Sequence, residues 1–193
     1  MAKENKTKYA ILGVLSLKPA SGYDIKKFCD ETIAHFWQEN YGHIYPVLKQ
    51  LEEEQWVEKK TEISEGKLKH VYSITARGRE RLVEWLSVQP EVTKPRYEFL
   101  LKMFFSKDIP AQMVIQRLNE SKILCQSILK QYESMEQKIK MGLANKTCLE
   151  SGWAYRYSTL RYGILDLKAK IAWCDETIAL INRVSNQDEE EGL

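Results

Sequence analysis

Apolar residues recur along this chain with a helical period first. Tyr9 to Leu17 is apolar almost all round, the pattern of a helix covered on more than one side, and it makes Leu12 and Leu15 candidates for a subunit contact. Pro19-Ala20 interrupts the run. Ser21-Gly22-Tyr23-Asp24 then reads as a capping box, a hydroxyl for an orphan N–H with an acidic residue three positions on. Ile25, Phe28, Cys29, Thr32 and Phe36 carry the 3.6-residue period through a second helix. In a third, Ile44, Val47, Leu48 and Leu51 fall at i, i+3, i+4 and i+7, one stripe that must face a core. Proline is tolerated near a helix start, so Pro46 predicts that this helix begins near Gly42 or His43 and not at an Asn40 cap.

The period then switches to that of strands. Val57 to Ile63 and Leu68 to Ile74 are β-branched and aromatic enough to pair, with Gly66 supplying a turn residue at positive φ. Tyr45, Pro46 and Lys49 point away from the stripe of the third helix, so an aromatic, a proline and a cation face solvent. Lys60, Lys67 and Lys69 lie on the hairpin. Two helices followed by a hairpin with a cationic tip is the winged helix-turn-helix plan, in which the second helix enters the major groove and the wing reaches phosphates or the minor groove. The candidate DNA contacts are Tyr41, His43, Tyr45, Pro46 and Lys49 on that helix and Lys60, Lys67 and Lys69 on the wing. Ser21 and Tyr23 join them at a helix start, where free N–H groups favour a phosphate.

Beyond about residue 90 the helical period returns and lengthens. Val114, Leu118, Ser121, Cys125, Ile128, Tyr132, Met135 and Ile139 alternate steps of four and three, as do Tyr157, Leu160, Ile164, Leu167, Ile171, Cys174, Ile178 and Ile181. Two helices of about 30 residues joined near Gly142 to Gly152 would form an antiparallel hairpin about 45 Å long. Ile115, Leu124, Leu129, Leu165, Ala172 and Trp173 widen the stripe past what one partner helix covers, which either the Phe99–Phe105 helix of the same chain or a second subunit would meet; a winged domain that reads paired half-sites favours the homodimer. Leu160, Ile164, Leu167, Ile171, Trp173, Cys174 and Ile178 are its candidate contacts, and Met103, Trp153 and Tyr157 the candidate lining of an effector pocket. The expected fold is mainly α: a DNA-binding winged domain over 1–89, a helical dimerisation domain over 90–184, and an acidic, disordered tail over 185–193.

The segments Tyr9-Ala10-Ile11-Leu12-Gly13-Val14-Leu15, Ser21-Gly22-Tyr23-Asp24-Ile25, His43-Ile44-Tyr45-Pro46-Val47-Leu48, Leu51-Glu52-Glu53-Glu54 and Tyr72-Ser73-Ile74-Thr75-Ala76-Arg77-Gly78 resemble the PadR family of bacterial transcription regulators. Phe99-Leu100-Leu101-Lys102-Met103-Phe104-Phe105 and Leu160-Arg161-Tyr162-Gly163 are similar to its longer subfamily with a helical dimerisation domain. The resemblance implies a homodimer on a palindromic double-stranded operator, often a repressor relieved by a small molecule or a stress signal. One departure is Gln55, where the family usually has glycine before the wing.

The chain of 193 residues has a net charge of only +2, so DNA binding must rest on local placement of cations. A winged-helix adaptor that binds protein instead of DNA, and a transcriptional activator, are the alternatives. An enzyme would need a nucleophile with its base, paired carboxylates in a cleft, a metal cluster or a glycine-rich phosphate loop, and the sequence shows none of these; no cofactor or metal is expected. Neither a membrane span nor a signal peptide is visible, and the expected location is cytoplasmic. Cys29, Cys125 and Cys174 fall on apolar faces and read as core thiols, leaving Cys148 as the candidate redox sensor. Trp37, Trp56, Trp85, Trp153 and Trp173 read as core aromatics first.

Overall fold

The computed structural model describes residues 5–34, 36–64, 67–91, 95–144 and 152–191. Gly66 and Cys148 lie outside them, as do the side chains of Tyr41 and Lys67. The chain packs as two units, Met1–Thr93 and Lys94–Leu193.

The first unit runs α1 (Thr7–Leu17), α2 (Gly22–Thr32), α3 (Tyr41–Glu53), β1 (Val57–Ser64), β2 (Lys67–Ile74) and α4 (Ala76–Ser87). The apolar surround of α1 is explained inside this unit, because the helix packs against α2, α3, α4 and β2 together. Leu12 and Leu15 are 0% and 2% exposed in that core and present nothing to a second subunit, contrary to the dimer contact expected of them. The stripe Ile44, Val47, Leu48 and Leu51 is buried against the same core. Cys29 is buried there too, and desolvation first, with the nearby Glu39 carboxylate second, pushes its thiol up to about 11, so it stays protonated and inert.

Helix α3 starts earlier than its proline suggests. Asn40 is the N-cap, its Oδ1 accepting the Gly42 N–H at 3.0 Å, so Pro46 lies inside the helix. Pro46 cannot donate to the Gly42 carbonyl four residues back, but both residues are exposed and water can serve that carbonyl. The helix ends in a Schellman motif: Trp56 N–H bonds the Leu51 carbonyl at 2.8 Å and Gln55 N–H the Glu52 carbonyl at 3.0 Å. Gln55 takes the left-handed conformation this requires, at φ 59°, which costs a non-glycine residue about 1–2 kcal/mol.

Strands β1 and β2 pair antiparallel, from Val57 opposite Ile74 to Ser64 opposite Lys67. The α1–α2 linker adds one bridge to the hairpin, since Ala20 and Tyr72 exchange both backbone hydrogen bonds at 3.0 and 2.9 Å.

The second unit contains α5 (Glu98–Phe104), a 3₁₀ turn (Ser106–Asp108), α6 (Ala111–Ala144) and α7 (Trp153–Glu191). At 1.5 Å per residue α6 and α7 are about 51 and 58 Å long, longer than the sequence period requires. The backbone of α7 is helical to Glu191, where acidic composition suggests an irregular tail from 185; glutamate is itself a good helix former. Ion pairs Lys122–Asp175, Glu133–Lys168 and Glu136–Arg161 run up the two helices in opposite order, which fixes them as antiparallel. Leu160, Ile164, Leu167 and Cys174 are buried in this intramolecular seam, so they hold one chain's hairpin together instead of forming the subunit contact expected of them.

A polar residue also enters the seam. Glu136 is 9% exposed and accepts from Tyr157 Oη at 2.8 Å and Arg161 at 2.9 Å, with Lys140 Nζ 3.1 Å away. The Tyr157 hydrogen bond above all, with those of Lys140 and Arg161, outweighs desolvation and holds its carboxyl down at about 2. Because the folded value lies below the usual 4.5, this contribution is present above pH 4.5 and is lost as pH falls toward 2. Glu136→Gln should therefore lower the melting temperature at pH 7, and the gap from the parent should close in melts taken between pH 4.5 and 2. A gap independent of pH would exclude the charge as its origin.

Candidate nucleic-acid interface

The outer face of α3 carries Tyr45, Pro46 and Lys49, all exposed, with exposed His43 near the helix start. Tyr45 is both packed and presented. A Cβ on Gly22 would lie 2.7 Å from Tyr45 Cε1, so the ring rests on the bare backbone at the start of α2 while the residue stays 53% exposed. Gly22 thus allows α2 and α3 to approach and fixes the direction of the tyrosine. Lys49 Nζ is 3.9 Å from Glu53 Oε1, an exposed i, i+4 pair too weak to withhold the cation from a phosphate.

At the start of α2 the capping box forms as the sequence suggests. Ser21 Oγ accepts from Asp24 N–H at 3.2 Å and donates to Asp24 Oδ2 at 2.6 Å, and Ser21 N–H donates to the same carboxylate at 3.1 Å. This changes the role expected of Ser21. Its hydroxyl is buried and spent on Asp24, whose negative charge already occupies the N-terminus where a phosphate is expected. Tyr23, 59% exposed, is what this turn offers to solvent.

Lys69 reaches from β2 to the same carboxylate, at 2.8 Å from Asp24 Oδ2. The Lys69 hydrogen bond first, and that of Ser21 second, hold the Asp24 carboxyl at about 2, and the pairing raises Lys69. Lys69 therefore fastens the wing to α2, a role its position in the sequence does not disclose. Lys60 is exposed on β1.

Among the described residues, the candidate effector residues lie apart within one chain. Met103 lines a cleft of about 480 Å³ with Phe99, Val114 and Leu124, and packs on the cluster of Val114, Leu118 and Cys174. Trp173 meets Phe99 edge-on beside it, at 6.0 Å between ring centroids. Trp153 and Tyr157 contact each other at 6.0 Å, and Tyr157 is bonded to Glu136, about 27 Å along α6 from Leu118. A second cleft, of about 620 Å³, lies in the winged unit between Lys6, Trp56, Arg81 and Trp85, where Tyr9 stacks on Trp85 at 4.6 Å. Hydrophobic periodicity marks these aromatics as core and gives no sign of the groove they border.

No described helix is long and apolar enough to cross a membrane. Among the described residues, no group of three or more His, Cys, Asp or Glu side chains could hold a metal ion.

Comparison with known proteins matches this architecture over both units. Residues 11–84 fit the model of the transcriptional regulator PadR-like family, and residues 95–182 that of the virulence activator alpha C-terminal domain. The negative transcriptional regulator PadR of Bacillus subtilis is 30% identical over 178 residues, 91% of this chain and 97% of the relative. Its crystal structure in complex with operator DNA superposes with a TM-score of 0.81 at 26% identity, over 92% of this chain and 99% of that one. The structure with p-coumaric acid gives a TM-score of 0.75 at 25% identity, over 92% and 99%. A winged unit and a long helical hairpin, matched along nearly their whole length, place the chain in the PadR-like family of transcriptional regulators.

Proposed function

We propose that this regulator is a homodimeric repressor that binds a palindromic operator through α3 and the wing and leaves it when a small molecule binds. The observation that carries the reading is the outer face of α3: Tyr45, seated on Gly22 and half exposed, beside exposed Pro46 and Lys49, in a fold whose Bacillus subtilis relative was crystallised on operator DNA. Tyr45, Lys49 and His43 reach base edges and adjoining phosphates, Tyr23 flanks them, and Lys60 serves the backbone from the wing that Lys69 fastens to α2. That relative is a negative regulator and also binds p-coumaric acid, which supports repression and a small aromatic effector for this chain.

The second subunit covers the outer faces of α6 and α7, where Leu124, Tyr162 and Leu165 are exposed and Ile171, Trp173 and Ile178 are partly open. An effector need only alter the spacing of two recognition helices, which must match about one DNA turn, roughly 34 Å. Such a protein acts in the cytoplasm, on the chromosome. Activation is the second reading, favoured by the family description that residues 95–182 match.

The test is a band shift with the DNA upstream of the protein's own gene, combined with sedimentation of the complex and a reporter for that promoter. The expected result is a bound dimer and reporter output that rises when the protein is deleted. Falling output would establish activation, and a monomer or an unshifted band would contradict the proposal.

A further inference from the structure

The wing tip carries an apolar pair that neither the core nor the charged-wing reading uses. Ile63 and Leu68 are directly opposed across β1 and β2 and are 78% and 74% exposed. Their face is set by the strand period: Val57, Lys59, Thr61 and Ile63 share one side with Leu68, His70, Tyr72 and Ile74. At the base of the hairpin that side is core, with Val57 and Tyr72 buried. Next comes a polar step, where Thr61 Oγ1 and His70 Nδ1 are hydrogen-bonded at 3.1 Å. Beyond it the apolar character returns, and both side chains are exposed.

We propose that Ile63 and Leu68 form an apolar wedge that enters the minor groove of duplex DNA beside the site of α3, packing on deoxyribose and prising a base step. The inference rests on the operator-binding function proposed above. DNA is the occupant because the pair is continuous with that surface: the Lys69–Asp24 bridge ties β2 to the start of α2, and Gly22, two residues before Asp24, supports Tyr45. In sequence Leu68 lies between Lys67 and Lys69, positions the strand period assigns to the opposite face of β2, where Lys69 is held by Asp24 and faces Glu62 on β1. The aliphatic pair itself suits the apolar sugar walls within a groove, and aliphatic wedges of this kind kink the duplex toward the major groove.

The experiment uses the full chain and a duplex selected by it from a random library. Binding is followed by fluorescence anisotropy across a salt series, and bending by energy transfer between dyes at the duplex ends. Ile63→Thr with Leu68→Thr retains strand propensity and should bind roughly tenfold more weakly, with less bending and an unchanged slope of log Kd against log salt, since an apolar contact releases no counterions. Ile63→Val with Leu68→Val should bind and bend DNA as the parent does. Equal affinity of the threonine pair, or a changed salt slope, overturns the wedge. Loss of the dimer in sedimentation also overturns it, and assigns the pair to a protein contact. If the parent selects no duplex, the DNA-binding reading itself fails, an outcome distinct from a parent that binds and a variant that matches it.

Discussion

Gly78→Ala should destabilise the winged unit by about 3 kcal/mol, although the same change in an open helix stabilises by up to about 1 kcal/mol. A Cβ at Gly78 would lie 2.0 Å from the Trp56 carbonyl oxygen, far inside contact distance. That carbonyl cannot withdraw freely. It accepts from the Thr75 backbone N–H at 3.0 Å and from Thr75 Oγ1 at 3.1 Å, while the same hydroxyl caps α4 by accepting the Gly78 N–H at 3.0 Å. The end of α3, the start of β1 and the start of α4 are thereby locked together, and an added methyl must break the lock. Gly13→Ala is the control, because nothing lies within 4 Å of a Cβ at Gly13. Urea denaturation of the two variants should shift in opposite directions; a neutral Gly78→Ala would show that the approach to Trp56 relaxes at little cost.

What can be read from the sequence is whatever obeys a local rule. The α3 stripe, the capping box of Ser21 and Asp24 and the register-forming strands appear as expected, because period and capping are set by residues a few positions apart; of the two heptad series Val114, Leu118, Leu160, Ile164, Leu167 and Cys174 are buried, while Met135 is exposed. What cannot be read depends on distant partners. The apolar surround of α1 resembles a subunit face until four neighbouring elements are seen to enclose it. Glu136 leaves no mark in the apolar period because it is a carboxylate, although Tyr157 and Arg161, four residues apart on the facing helix, are its available signal. Lys69 reads as a wing cation for phosphate, since nothing near it in sequence reveals Asp24. Met103, Trp153 and Tyr157 share a soft or aromatic character that suits a ligand, but the structure distributes them along the hairpin. At Pro46 a sound local rule loses to the stronger cap of Asn40.

The second large effect concerns binding. Tyr45→Ala with Lys49→Ala should leave the fold intact, because both residues lie outside the buried stripe of α3. Removing one base-reading interaction should cost on the order of 1–3 kcal/mol, and removing a phosphate interaction should lower affinity for all sequences while reducing the salt slope by about one unit. Tyr45 is the more informative half of the pair, because Gly22 holds its ring in place before DNA arrives and little ordering is left for binding to supply.

Recognition by α3 is tested most directly by titrating the parent and the Tyr45→Ala/Lys49→Ala variant, by fluorescence anisotropy, against a duplex selected by the parent and against a scrambled duplex of the same composition. The parent should prefer the selected duplex strongly, and the variant should lose most of that preference while sedimenting as the same oligomer. A variant that keeps the parent's full preference would contradict the assignment of α3 as the element that reads DNA.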